Sequence, residues 1–233
     1  MGPLDGIHRL VSRQHGCITR VQATEAGLTP RQIDGLVACR EWRRVERGVF
    51  QHAAYPITWH SRLFAACHAL GGVASHRSAA VLWQLDGCRP GRIEVTVPST
   101  KVVVRSGVTV HRSTQWDRVD ETTMESIPVS GLARTIFDLA GVVSQPTLRE
   151  AANSARRRRQ LDWSDLARAL VAGARRGRNG SAGLRALLET YAGEQTLSRS
   201  EWSDVIADLL VDHGLPRPEL EYRVADPESE FVA

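Results

Sequence analysis

Between Thr29 and Arg47 the chain sets five arginines and a glutamine within nineteen positions: Arg31, Gln32, Arg40, Arg43, Arg44 and Arg47. A guanidinium can fork onto the O6 and N7 of guanine, and an amide onto the N6 and N7 of adenine. Either can also meet phosphate oxygens, so this set suits double-stranded DNA. A second basic concentration, Arg156-Arg157-Arg158-Arg159, reads either as a solvated helix end favoured by the helix dipole or as an auxiliary phosphate contact.

Other reactive residue types lack the spacing that chemistry needs. Cys17, Cys39, Cys67 and Cys88 show no Cys-x-x-Cys pattern and read as buried, reduced thiols. His8, His15, His76 and His111 show no ligand spacing and read as surface or capping residues. No metal ligands, cofactor or catalytic residues are therefore expected. Arg134 and Asp138 stand one helical turn apart, as a site or, better, as a salt bridge tying a helix to a sheet. The glycine-rich stretch from Gly173 to Gly180 has no Gly-Lys-Ser/Thr and follows no strand, so it is not a P-loop but a basic linker.

The elements that position the arginines are legible nearby. Thr19-Arg20-Val21-Gln22 and Thr29-Pro30-Arg31-Gln32 are capping boxes, in which Thr caps the third helical N–H and Gln reaches back to the Thr N–H. Pro30 suits the first helical position. Gly27 ends the first of these helices, and the second runs to about Cys39, with Ile33, Leu36 and Val37 inward and Arg31, Gln32, Asp34 and Arg40 outward. Trp42 to Phe50 alternates as two short strands about a turn at Arg47-Gly48. With an upstream helix carrying Ile7, Leu10 and Val11, this predicts a winged helix-turn-helix over residues 1–56. Thr29, Arg31, Gln32 and Arg40 would lie at the major groove, with Arg43, Arg44 and Arg47 on the backbone. A winged helix that only docks protein is the alternative.

Residues 57–192 predict a mixed helix and small-sheet domain. Helices are expected from Ile57 to Leu70, from Ser75 (as cap) through Trp83, and over 130–139. Others begin at Pro146, Asp162 and Ser181. The strand is Ile93–Val97, with a hairpin of Val102–Val104 and Val108–His111, and 117–128 reads as a polar connection. Residues 193–233 shift in composition, with three Arg against ten acids, whereas 1–56 hold eight Arg against five. A helix capped by Ser200, a strand at Leu220–Val224 and a return strand begun at Glu230 give an incomplete α/β segment. The fold class is thus α+β in three parts. The net charge of +4 is the sum of +3 over 1–56, +8 over 57–192 and −7 over 193–233, so positive charge lies in the first two parts and favours an anionic partner. Neither a secretory start nor a membrane-length apolar run is present, so a soluble, cytoplasmic protein without membrane contact is expected.

The order of motifs carries a resemblance. The winged helix is followed by Ser75-His76-Arg77-Ser78-Ala79-Ala80-Val81-Leu82-Trp83 and Ile93-Glu94-Val95-Thr96-Val97-Pro98. Next come His111-Arg112-Ser113, Ile127-Pro128-Val129 and Arg134-Thr135 with Asp138-Leu139. Over roughly residues 5–192 this resembles the AbiEi-type antitoxins of type IV toxin–antitoxin systems. The resemblance implies a promoter-binding repressor that silences its own operon through inverted repeats. It also implies a nucleotidyltransferase-type toxin as counterpart, opposed without a stable complex. The acidic tail, with Ser200-Glu201-Trp202 and Gly214-Leu215-Pro216-Arg217-Pro218, is similar to the start of a domain related to very-short-patch-repair endonucleases. That family's metal-holding acids lie beyond Ala233, and Glu201 alone cannot supply such a site. Two further readings stay open: an endonuclease whose catalytic strands are missing here, and a module that docks a toxin.

Overall fold

The first fifty residues close around a small core of Ile7, Val11, Ile18, Ala23, Leu28, Ile33, Trp42 and Phe50. The computed structural model describes residues 3–101, 105–116, 119–173, 180–193, 223–226 and 229–232. Helix α1 (Pro3–Arg13) leads through β1 (Cys17–Thr19) into α2 (Arg20–Glu25) and α3 (Pro30–Ala38), then β2 (Trp42–Glu46) and β3 (Val49–His52). Both capping boxes are formed as the spacing predicts. The hairpin turns at Arg47-Gly48, where Gly48 takes φ of 71°, a left-handed conformation open to a residue without Cβ. Strand β1 pairs with β3 and widens the expected hairpin into a three-stranded antiparallel sheet of order β1-β3-β2.

Helix α4 (Trp59–Leu70) ends at Gly71 in the left-handed conformation. It leads to β4 (Val73–Ala74), α5 (His76–Leu82), β5 (Ile93–Pro98), β6 (Val108–Ser113), β7 (Glu121–Met124) and β8 (Ile127–Ser130). These strands form one sheet of order β6-β5-β4-β8-β7, with β5–β6 and β4–β8 parallel and the other pairs antiparallel. Two expectations change here. Val108–His111 belongs to a strand parallel to β5, and its expected hairpin partner at 102–104 lies outside the described residues. The polar connection at 117–128 contains the β7–β8 hairpin, whose outer strand is exposed at Glu121, Thr122 and Thr123 and so needs no apolar alternation. Strand β5 forms as expected and is buried on both faces, including Glu94 and Thr96.

The remaining helices are α6 (Leu132–Leu139), α7 (Gln145–Arg157), α8 (Trp163–Gly173) and α9 (Ser181–Gly193). They pack around Ile136, Phe137, Leu148, Leu166, Leu184 and Leu187. Between this core and the first lies a third, which joins Cys17 and Val49 to Leu63, Phe64, Val95, Ile127 and Val129. Packing is therefore continuous across residue 56, because α4 buries Leu63 and Phe64 against both sheets. The fold is α+β. Of the tail, β9 (Arg223–Asp226) pairs antiparallel with β10 (Ser229–Val232), in keeping with a strand and return strand. The helix expected after Ser200 and most of 174–180 lie outside the described residues. Among the described residues, no helix is long and apolar enough to cross a membrane.

Candidate nucleic-acid interface

Helix α3 is held to the body by a single fully buried residue, Ile33, with Leu36 and Val37 half-buried beside it. Apart from these, α3 is exposed. Its start is fixed by Thr29, whose Oγ1 accepts from Gln32 N at 3.3 Å, while Gln32 Oε1 accepts from Thr29 N at 2.8 Å. Thr29 Oγ1 also donates to that amide oxygen at 2.9 Å. Gln32 thus has its carbonyl turned back into the helix cap, and a two-point contact with adenine would require it to release Thr29. Arg31 is exposed on the same first turn, and Arg40 is exposed just past the helix end with φ of 62°.

Three contacts of Arg20 fix the helices and wing relative to one another. Arg20 N donates to Gly48 O at 2.8 Å, which ties the start of α2 to the turn of the hairpin. The Arg20 guanidinium meets Asp34 on α3 at 2.7 Å and lies over the Phe50 ring at 5.2 Å. That ion pair neutralises an acid on the outer face of α3, where an unpaired carboxylate would repel phosphate. Sequence reading placed Asp34 outward but missed Arg20 as its partner, because the two stand on different helices.

The wing arginines divide. Arg44 is exposed, with its guanidinium 5.8 Å from the Phe50 ring centre, and Arg47 is exposed at the turn. Arg43 is instead turned inward, with Nε donating to Gln51 Oε1 at 3.1 Å and a terminal nitrogen donating to Tyr55 O. Gln51, fully buried, bonds in turn to His15 O and Pro56 O. A cavity of about 580 Å3 adjoins the wing and brings Arg43 and Arg44 together with Arg62 of α4 and Arg92, beside Trp59. Arg62 and Arg92 were not singled out from the sequence, where nothing local links them to Arg43 and Arg44, 18–19 and 48–49 positions away.

The run of four arginines is largely occupied within the molecule. Arg156 stacks over Trp163 at 4.5 Å, while Arg157 and Arg158 both bind Asp86, at 2.5 Å and 3.2 Å. Arg159 is exposed with φ of 55°. Arg134 and Asp138 pair as expected, at 2.8 Å, but both lie on α6, so this ion pair is within the helix rather than from helix to sheet.

The thiols and imidazoles depart from expectation in places. Cys17 and Cys67 are buried, and burial pushes the Cys17 thiol up to about 12 and Cys67 higher still. Cys39, however, is exposed at the end of α3, and Cys88 is half-buried. His15 is half-buried rather than open to solvent. It stacks on His60 and bonds Glu125 O at 3.0 Å, and burial lowers its pKa. His76 and His111 stack on one another with centroids 3.5 Å apart and share a cluster with Glu94, so the reading of both as surface or capping residues is corrected. The three come from the start of α5, from β5 and from β6, which linear spacing does not reveal.

No family model matches this chain, and no curated protein matches it. Among solved structures, it is similar to the crystal structure of the RV2827C protein from Mycobacterium tuberculosis. The two are 18% identical, with 95% of this chain and 88% of that one covered and a TM-score of 0.36. A likeness at that level carries no argument about what this chain does.

Proposed function

We propose that this chain is a sequence-specific DNA-binding repressor of antitoxin type that controls its own operon. The observation that carries this reading is α3 itself: a capped helix anchored by one buried residue and otherwise open, beside a hairpin whose exposed turn bears Arg47. A helix so little engaged with its own protein can enter a major groove without exposing core, and the hairpin can then lie along the phosphates. Arg31 is the base-reading residue, with Arg40 at the far end of the helix, and Arg44 and Arg47 contact the backbone. Arg43 holds the wing in shape through Gln51 and Tyr55. The antitoxin assignment and the nucleotidyltransferase-type counterpart rest on the sequence resemblance.

The test is binding of the full chain to labelled duplex from its own upstream region and to random duplex, across a range of salt. Mg2+ is present, and strand cleavage is followed in the same samples. Specific, salt-sensitive binding without cleavage is the expected result. Arg47→Ala should weaken binding to both duplexes and reduce the salt slope by about one phosphate contact. Arg31→Ala should lose on the order of 1–3 kcal/mol of discrimination at one base pair. Equal affinity for both duplexes would move the winged helix to protein docking, and cleavage would favour the endonuclease reading.

A further inference from the structure

Behind the winged region, on the face of the large sheet that carries Glu94 and Thr96, three side chains meet that the DNA-binding reading does not use. One ring nitrogen each of His76 and His111 and one carboxylate oxygen of Glu94 all lie within 4.8 Å of one another. We propose that His76, Glu94 and His111 form a binding site for a divalent transition-metal ion of the zinc class. Two imidazoles and one carboxylate are the donor set that favours such ions over magnesium or calcium, which prefer all-oxygen shells. Ligands held tetrahedrally at about 2.1 Å stand roughly 3.4 Å apart, so donor atoms already within 4.8 Å of one another close on an ion once the two stacked rings swing apart.

The backbone builds the triangle from both directions. Strands β5 and β6 are parallel, with Glu94 opposite Thr109 and Thr96 opposite His111, so Glu94 and His111 share a face on adjacent strands. His111 Nε2 lies 2.8 Å from Glu94 Oε2. The start of α5 is pinned to the same strand, through Ser75 N donating to Glu94 O at 3.1 Å and Glu94 N donating to Ser78 Oγ at 2.8 Å. This sets His76 over His111. His76 reaches that position with φ of 50°, in the left-handed region that a β-carbon disfavours. Ser75 occupies the N-cap of α5 but makes no side-chain cap bond; its hydroxyl lies 3.0 Å from His76 Nδ1 instead. A helix cap is forgone, and an unfavourable backbone conformation accepted, at the residue that supplies one ligand.

The outer contacts match what metal ligands need. The Ser75 hydroxyl engages one imidazole nitrogen of His76 and so leaves the other as the donor. Arg77 binds Glu94 Oε1 at 2.9 Å, which orients the carboxylate while leaving Oε2 toward His111. Glu94 is 4% exposed, so its charge requires partners; in the metal-free protein Arg77 and the His111 N–H fill that role. The ion takes the place of the hydrogen at His111 Nε2, and the neutral ring then carries its one proton on Nδ1. Three protein ligands leave a coordination position open, and Glu94 and His111 line a cavity of about 290 Å3 together with Arg77, Arg89 and Arg92. An anion is the class of exogenous ligand that such a cavity suits.

The test uses the full chain, stripped with a chelator, titrated with Zn2+ by calorimetry and with Co2+ by visible absorption, alongside melting curves. One saturable equivalent per chain and a raised Tm are expected, with no competition from excess Mg2+. His76→Ala and His111→Asn should each weaken binding by more than the roughly 10–100-fold that loss of an outer partner costs, and Ser75→Ala should fall within that range. Circular dichroism establishes that each variant is folded. His111→Asn keeps a hydrogen-bond donor for Glu94, so it serves if His76→Ala does not fold. His60→Ala removes a partner of the His15–Glu125 group and should leave Zn2+ binding unchanged. The absence of a saturable site, its persistence in His111→Asn, or its loss in His60→Ala would each overturn the assignment. None of these outcomes depends on DNA.

Discussion

The winged region and the cluster at His76 put reactive side chains to use in opposite ways. In the first, the arginines stand outside a small core and their bearing elements are specified by neighbours three or four residues away: Thr29 with Gln32, Thr19 with Gln22. In the second, the three side chains are drawn together from α5, β5 and β6, and they are held by a register between parallel strands that no hairpin turn sets. Local signals make a presenting surface; a site that must enclose its ligand needs long-range pairing. The two regions should therefore fail separately when their supports are removed.

The largest effect should come from the ring beneath the wing. Phe50 is fully buried, under the guanidinium groups of Arg20 and Arg44, and packs against Trp42 at 5.9 Å. Phe50→Ala should cost about 3–5 kcal/mol and abolish DNA binding, while Zn2+ binding at His76 survives in whatever fraction stays folded. Thermal melting followed together with Zn2+ titration checks this. Simultaneous loss of both would show that the core shared by Cys17, Val49 and Leu63 makes the two regions one cooperative unit.

The contrast also accounts for what could be read in the sequence. The capping boxes, Pro30, the Arg47-Gly48 turn and the Arg134–Asp138 pair were all legible, because each is settled within a few residues. The β7–β8 hairpin was hidden because an edge strand exposing Glu121, Thr122 and Thr123 has no apolar face to display. The inward role of Arg43 was hidden because its partners, Gln51 and Tyr55, are supplied by the folded-back chain. Glu94 drew no reading of its own within its strand; only the packing of α5 over β5 makes it a buried charge.

A middle-sized effect tests the seam between the regions. Burial holds His15 below the ordinary histidine value of 6.5, despite the opposing bond to Glu125 O, and burial likewise lowers His68. His68 Nε2 is buried and has no hydrogen-bond partner among the described residues. The folded state resists protons that the unfolded chain accepts at about 6.5. Stability from these residues is therefore complete above that pH, and it is lost as pH falls from there through the lower folded-state values. Tm should decline steadily over that window in low-salt buffer, and His68→Phe should flatten the slope. A Tm indifferent to pH there would mean that the seam opens without cost.

The smallest effect addresses a conflict inside α3. Thr29 and Gln32 were both assigned to the DNA surface, yet the structure has each engaged in capping the helix. Thr29→Ala should destabilise the protein by about 1 kcal/mol, with α3 frayed at the end that carries Arg31. Thr29→Ser keeps the hydroxyl and should restore stability. If Gln32 serves only the cap, Gln32→Glu preserves the box, since a carboxylate also accepts the Thr29 N–H, and it weakens specific and random DNA alike by adding negative charge. If Gln32 reads adenine, the same change should relax preference at one base pair beyond that uniform loss. Comparing Thr29→Ser and Gln32→Glu on matched duplexes thus separates the residue that shapes the helix from the one that reads with it. Arg31, which has no part in the cap, is the reference for a pure reading loss.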